Sequence, residues 1–267
     1  MNNARDILLS KQLYIFDQDG TIYLGNRVFD YAVRFIRNLR ESGKRILFFT
    51  NNASHSPDYY MDKLTRLGFE PKRSEILTSG DVTVGFLKSH RPGKPVYLVG
   101  TPELEKQFTD AGIELSDKAD IVVTSFDTTL TYAKLDTACR LIRNGAEYLS
   151  THPDYNCPVE GGFIPDSGAI AALVTASTGA LPTYFGKPYP ETVRMISEIT
   201  EIEKDEMIIF GDRIYTDIAT GRRHGITAAL VLSGECKESD AASASVEDQP
   251  DIMLESLLSA ERIMFGE

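Results

Sequence analysis

The sequence predicts an α/β fold with a mainly parallel sheet, and three observations carry that reading. Four short apolar runs each end in a polar, chemically capable residue, helix-period stretches separate them, and the composition (42% hydrophobic, 25% charged over 267 residues) lies in the ordinary globular range. The runs are LYIF before Asp17, RILFF before Thr50-Asn51-Asn52, TYF before Gly186-Lys187 and MIIF before Gly211-Asp212. Continuous apolar runs of this length read as buried parallel strands, each delivering a side chain at its carboxyl end. Between them Phe29, Ala32, Val33, Ile36 and Leu39 recur at helical spacing, as do Met61, Leu64 and Leu67, and Val193, Ile196 and Ile199. Strand alternating with helix is the pattern of parallel-sheet proteins, whose ligands bind outside the carboxyl ends of the strands. That rule gathers Asp17, Thr50, Lys187 and Asp212 around one crevice.

The spacing of the runs is uneven. Between Asp17 and Thr50 there is room for one helix and a return strand, whereas the stretch from Asn52 to Lys187 is several times longer. Helices at 58–68 and 80–89 still suit the main sheet, after which Arg91-Pro92-Gly93-Lys94-Pro95 reads as a linker. VYLVG (96–100) then opens a second alternation: a helix at 102–111, IVVTSF (121–126), a helix near 131–145 and an Ala/Val-rich helix at 168–178. Thr178 to Pro182 closes it. The expected organisation is a discontinuous core, 1–92 and 181–267, interrupted by a smaller α/β cap at 93–180. Glu238 to Gln249 is polar and Ala/Ser-rich, and is expected to be a mobile surface segment.

Charge and cysteine usage narrow the partners. Against 28 Lys+Arg stand 39 Asp+Glu, and the formal charge of -11 opposes an electrostatic grip on nucleic acid or an anionic membrane. No apolar run approaches the ~18–20 residues of a membrane span, and Met1 to Lys11 lacks the pattern of a secretory signal. Cys139, Cys157 and Cys236 are odd in number and far apart, which suits small buried hydrophobes in a reducing compartment. The expected location is the cytoplasm.

The chemistry lies at the run ends. In Asp17-Gln18-Asp19-Gly20-Thr21 two carboxylates stand two apart, so one can reach a reacting atom and the other a transferring proton, with Gly20 freeing the backbone to turn. Gly211-Asp212-Arg213-Ile214-Tyr215-Thr216-Asp217 supplies a second acidic pair. Three or four carboxylates at one sheet edge need a cation. Mg²⁺ suits a few carboxylates with waters and a substrate phosphate, and no His/Cys spacing supports zinc. Thr50, Asn51 and Asn52 offer hydroxyl, amide and backbone donors as an anion cradle, and Lys187 adds a compact positive charge. Each of these segments alone also fits an ordinary turn or helix cap. It is their order, each at the end of a strand, that points to phosphate chemistry.

Together, FDQDGT, FTNN, GKP and GDRIYTD resemble the four ordered motifs of the haloacid dehalogenase (HAD) superfamily. The long insertion resembles its subfamily with a C2-type cap, the NagD-like and p-nitrophenyl phosphatase group, as do STHPD (150–154), PDSG (165–168) and VLSGE (231–235). The resemblance implies a Rossmann-like parallel-sheet core with the inserted cap, and a Mg²⁺-dependent phosphatase acting on small phosphorylated metabolites such as sugar phosphates or nucleoside monophosphates. It implies that Asp17 attacks phosphorus to form an aspartyl-phosphate and that Asp19 protonates the leaving alcohol and later deprotonates water. By the same resemblance Thr50, Asn51, Asn52 and Lys187 hold phosphoryl oxygens, Asp17, Asp212 and the Asp19 carbonyl ligate Mg²⁺, and Asp217 stands one layer behind. On the cap, His152, Asp154 and Ser167 are the specificity candidates, His152 standing where many relatives carry Asn. A cap-mediated homodimer is left open. A receiver-like phospho-acceptor expects an acidic pair before its acceptor strand and about half this length, and a non-catalytic phosphometabolite-binding module on the same scaffold would be expected to have lost Asp17 or Asp19.

Overall fold

Strands form where the apolar runs stand and at several places where the pattern is weaker. In chain order they are β1 (Leu13–Phe16), β2 (Tyr23–Leu24), β3 (Arg27–Val28), β4 (Arg45–Thr50), β5 (Ile76–Thr78), β6 (Val96–Val99), β7 (Ile121–Thr124), β8 (Glu147–Ser150), β9 (Asn156–Val159), β10 (Gly162–Pro165), β11 (Thr183–Tyr184), β12 (Met207–Gly211), β13 (Thr227–Val231) and β14 (Ile252–Leu254). The helices are α1 (Asn2–Ser10), α2 (Asp30–Glu41), α3 (Pro57–Arg66), α4 (Ser79–His90), α5 (Pro102–Asp110), α6 (Tyr132–Arg143), α7 (Ser167–Thr178), α8 (Pro190–Thr200), α9 (Ala219–His224), α10 (Glu238–Ser243) and α11 (Leu257–Phe265). The structure, a computed structural model, describes residues 2–159 and 161–266. Among the described residues no helix is long and apolar enough to cross a membrane.

The chain divides into two compact units, Met1–Phe49 with Tyr60–Leu77 and Val193–Glu267, and Thr50–Tyr59 with Thr78–Thr192. The stretch 93–180 lies wholly in the second, which also takes in 50–59, 78–92 and 181–192.

The first unit is built on a six-stranded sheet in the order β14-β13-β12-β1-β4-β5. β1 runs parallel to both neighbours, with Leu13 opposite Met207 on β12 and Arg45 on β4. Every residue of β1 and β12 is buried, which is why both runs are apolar without alternation. On one face Phe16 stacks on Phe210 with ring centroids 5.2 Å apart, and Phe35 of α2 meets Phe16 edge-on at 6.1 Å. α2 buries Ala32, Phe35, Ile36 and Leu39, the stripe the helical spacing predicts. Burial of each large side chain contributes roughly 1.5–3 kcal/mol, and an aromatic pair about 0.5–1.5 more. α11 is tied to α2 where Arg34 makes a bidentate pair with Glu261 (2.7 and 2.6 Å) and Asn38 donates to the same carboxylate at 3.0 Å.

The second unit holds a four-stranded sheet in the order β11-β8-β7-β6, parallel at each pairing. Val99, Val122, Ala138, Ile142 and Val174 form its core with α6 and α7. Its helices begin at side chains that accept early N–H groups: Thr101 for α5, Thr131 for α6 and Asp166 for α7. β9 and β10 form a separate antiparallel hairpin.

One expectation is corrected. TYF is not a buried strand of the main sheet: β11 pairs with β8, setting Thr183 opposite Leu149 and Tyr184 opposite Ser150. Thr183 is exposed, Tyr184 half-buried, and only Phe185, past the strand, is buried, against Phe86. Pro182 ahead and the left-handed Gly186 behind confine the strand to two residues, too few for periodicity to indicate a sheet. Within the segment 238–249, expected to be a surface segment, Glu238–Ser243 forms α10, whose entry is capped by Asp240 accepting the Lys237 N–H (2.9 Å) and whose Ala241 is buried. Beyond it, Asp248 pairs with Arg223 at 2.7 Å.

Candidate active site

In the first unit the acidic residues converge at the carboxyl ends of adjacent strands. Asp17 follows β1 and extends its ladder, donating its N–H to the Phe210 carbonyl at 2.9 Å. Asp212 follows β12, and its Oδ2 accepts the Glu235 N–H at 2.7 Å. Backbone presses on this carboxylate from two sides. A Cβ on Gly20 would lie 2.2 Å from Asp212 Oδ2, and one on Gly234 would lie 2.0 Å from it; Gly20 is also left-handed, φ +88°. Only glycine fits either place. Asp217 lies in the π-helical turn Ile214–Ile218, fully buried, and accepts the Arg213 N–H at 3.2 Å.

One carboxylate oxygen from each of Asp17, Asp212 and Asp217 lies within 4.8 Å of the others. Asp217, expected one layer behind, thus brings an oxygen into the same cluster. Three carboxylates this close repel one another strongly unless a cation shares them. An all-oxygen donor set fits a hard divalent ion such as Mg²⁺ and not zinc. Arg213 supplies part of the balance: burial opposes its charge, but Tyr215, Asp17, Asp212 and Glu235 favour it, and its Nε is fixed on Glu235 at 2.9 Å. Burial pushes the Asp19 carboxyl above the usual carboxylate range, with Lys63, the Gly25 N–H and Arg213 pulling the other way. A shift in that direction favours the protonated form that a proton donor needs.

In the second unit the Thr50 hydroxyl accepts the Asn52 N–H at 3.2 Å, leaving its own proton to donate. The Asn51 amide grips the backbone on both sides of Lys187: Oδ1 accepts the Lys187 N–H at 2.7 Å and Nδ2 donates to the Lys187 carbonyl at 3.0 Å. Nδ2 also donates to Asp154 Oδ2 at 3.0 Å. Asn52 Oδ1 accepts from the N–H and hydroxyl of Ser54, at 2.9 and 2.7 Å. Of the two amides expected to face phosphate, that of Asn52 thus builds its own turn and that of Asn51 ties the turn to Lys187 and Asp154. This is how an Asx-type turn uses such side chains, and residue type alone does not separate the two uses. Lys187 itself is buried. Before it Gly186 is left-handed (φ +72°), and a Cβ there would lie 2.7 Å from Asn51 Oδ1.

The specificity candidates are all buried in this unit. Asp154 receives the Asn51 amide, and the Ser167 hydroxyl lies 3.1 Å from that of Ser150. His152 bonds Asp166 through Nε2 at 2.7 Å. Ser79, Asp166, Gly186, Gly234 and Glu235 carry this architecture without having been singled out as site residues; glycine after an apolar run was the available signal for two of them.

The sequence matches the family described as haloacid dehalogenase-like hydrolase over residues 14–114, and a second HAD-hydrolase-like family over 184–260. An acid sugar phosphatase of Staphylococcus epidermidis is 35% identical over 237 residues, covering 88% of this chain and 92% of its own. The chain belongs to the haloacid dehalogenase-like hydrolases. Among solved members of this hydrolase family, a 4-nitrophenylphosphatase from Thermotoga maritima superposes with a TM-score of 0.92 at 38% identity, over 96% of this chain and 98% of that one. A glycerol phosphate phosphatase from Mycobacterium tuberculosis, solved in complex with magnesium, reaches 0.88 at 29% identity, over 95% and 77%. The chain is a hydrolase of the NagD-like and p-nitrophenyl phosphatase group of this family.

Proposed function

We propose that this phosphoric monoester hydrolase dephosphorylates small phosphorylated metabolites, sugar phosphates first among them, with Mg²⁺ and through an aspartyl-phosphate. The observation that carries the reading is the convergence of Asp17, Asp212 and Asp217 oxygens within 4.8 Å, with Asp19, whose carboxyl burial shifts toward the protonated form, two residues along from Asp17. Relatives named for acid sugar phosphate and 4-nitrophenyl phosphate hydrolysis support the substrate class.

In this mechanism an Asp17 carboxylate oxygen attacks phosphorus as the bond to the leaving oxygen breaks, and Asp19 gives its proton to that oxygen. A water then attacks the phosphorus of the aspartyl-phosphate, Asp19 takes the water's proton, and Asp17 leaves as a carboxylate. The Thr50 hydroxyl, backbone N–H groups of its turn and the Lys187 ammonium hold the phosphoryl oxygens, and the Asn51 amide fixes the Lys187 backbone for that task. Asp17, Asp212 and Asp217, with the Asp19 carbonyl, would hold Mg²⁺, which when bound offsets the negative charge shared by phosphoryl group and nucleophile. Because a chain of charge -11 repels phosphate overall, attraction must be local.

The test is hydrolysis of p-nitrophenyl phosphate and a panel of sugar phosphates. Asp17→Asn should lose activity by about 10³-fold or more while melting like the wild type, and EDTA should abolish activity that Mg²⁺ restores. Full turnover by the folded variant, or in metal-free buffer, would overturn the mechanism.

A further inference from the structure

We infer that His152 is held as an imidazolium and serves as a positioning residue for the Thr50–Asn51 turn and, through the Asn51 amide, for Lys187. Every group in the argument lies in the second unit. The kinetic consequence rests on the phosphatase reading above; the protonation state does not.

The argument is an accounting of protons. His152 is fully buried, and its Nε2 lies 2.7 Å from Asp166 Oδ1, an acceptor, so Nε2 carries a proton. Nδ1 lies 2.9 Å from the Thr151 hydroxyl and 3.3 Å from that of Ser79. Both hydroxyls have already spent their single proton. Thr151 donates to Ser125 Oγ at 2.9 Å, and Ser79 donates to the Asn51 carbonyl. Nδ1 therefore faces two oxygens that can only accept, and must carry a proton as well. A neutral imidazole would set a lone pair against them in a buried site, at the cost of an unmade hydrogen bond.

The charges around the ring suit a cation. Asp166 and Asp154 both favour the protonated form; burial opposes it and is outweighed, so the His152 pKa is raised. The elements packed on the other side, the start of α4 with Ser79 and the end of β7 with Ser125, present hydroxyls there. Nδ1–H thereby orients Ser79, Ser79 fixes the Asn51 carbonyl, and the Asn51 side chain grips Lys187 from both sides. The His152 side chain also packs beside Gly186, where an added Cβ would lie 3.0 Å from His152 Cβ. His152 thus braces the residues that hold the phosphoryl group, the part common to every substrate. It does not read the leaving group.

The sign of the pH effect follows. A raised pKa means the charged form persists above the pH at which an ordinary histidine loses its proton and is lost as pH rises past the raised value, so the brace weakens on the alkaline side.

The experiment uses the full chain labelled with nitrogen-15 in its histidines, of which there are four. At about pH 7.5, above the ordinary histidine pKa of roughly 6.5, long-range proton–nitrogen spectra should show one imidazole with both nitrogens protonated. That signal should disappear in His152→Gln and persist in Ser79→Ala. In both variants kcat should fall by about 10- to 100-fold with KM little changed, and by the same factor for p-nitrophenyl phosphate and an alkyl phosphate. The alkaline limb of the kcat profile should be absent from His152→Gln. In a second sample labelled with nitrogen-15 in its asparagines, slowly exchanging Asn51 side-chain amide signals should be lost in both variants, a readout that needs no turnover. A neutral His152 at that pH would overturn the proposal whatever the activity. So would losses that differ between leaving groups, or Asn51 amide signals unchanged in Ser79→Ala. A wild type inactive on every phosphomonoester would instead refute the proposed function, leaving the spectra to decide the state and role of His152.

Discussion

Gly234→Ala tests the architecture around Asp212 with a single methyl group. At that position a Cβ would stand 2.0 Å from Oδ2, 2.5 Å from Cγ and 2.7 Å from Cβ of Asp212, whereas such contacts essentially never fall below 3.0 Å. The overlap includes the Asp212 Cβ, so rotating the carboxylate cannot relieve it. Oδ2 is also pinned by the Glu235 N–H at 2.7 Å, immediately along the chain from the new methyl, and Gly20 presses from the other side. The Asp212 side chain must retreat by about 1 Å, out of an oxygen cluster that the proposed reaction depends on. A displacement of that size near reacting groups costs about 100-fold in rate, and misplacing a metal ligand costs roughly 10- to 100-fold in affinity. The assay is kcat/KM for p-nitrophenyl phosphate across a Mg²⁺ titration, with Mg²⁺ affinity measured separately by calorimetry. Gly162→Ala is the control, since a Cβ there meets nothing within 4 Å. Wild-type Mg²⁺ affinity and turnover in Gly234→Ala would show that Asp212 is not held where its neighbours imply.

Three further outcomes are expected. Asn51→Leu removes both hydrogen bonds to the Lys187 backbone and should lower kcat by about 10- to 100-fold with a small change in melting temperature; unchanged kcat would remove Asn51 from the positioning role. Arg34→Ala strands Glu261, whose side chain is 0% exposed, with Asn38 as the remaining partner in the described network. Because Arg34 is itself 48% exposed, the cost should fall below the ~3–5 kcal/mol of a fully buried pair, at about 2–3 kcal/mol, read by urea denaturation; Glu261→Leu in the same background should recover much of it. The Arg223 guanidinium holds the Asp248 carboxyl below its ordinary pKa. A depressed folded-state pKa gives stability that is present above the unfolded value near 4 and lost as pH falls through the folded one. The wild type should therefore exceed Arg223→Ala by under about 1 kcal/mol at pH 7, and the difference should vanish in acid.

The fold class was legible because strands buried on both faces have little choice but to be continuously apolar: LYIF and MIIF could be read directly. TYF could not. Its pairing depends on two residues between Pro182 and Gly186, and nothing local distinguishes a partner in one sheet from a partner in another. EYLS, which becomes β8, and the exposed hairpin of β9 and β10 lack a periodic signature for the same reason. At the site, aspartates could be anticipated from type and spacing, since few other roles need so many carboxylates together. The amides could not, because an asparagine that binds a ligand and one that binds its own backbone look alike until the partner is known. Asn51 finds that partner 136 residues away.

β1 has one neighbour that is close along the chain and one that is remote. β4 follows after the short β2–β3 hairpin and α2, but the Leu13–Met207 pairing on the other side joins residues some 194 positions apart. During synthesis the amino-terminal strands therefore leave the ribosome long before β12 exists. Until then one edge of this fully buried apolar strand stands open, its N–H and C=O groups unpaired and able to template association with another nascent chain. Asp17 takes its place in the ladder at the same late moment, since its N–H is received by Phe210 of β12. A polypeptide that stops short of β12 should thus be both prone to aggregate and chemically inert, so that arrival of the last third of the chain both protects the strand and assembles the nucleophile.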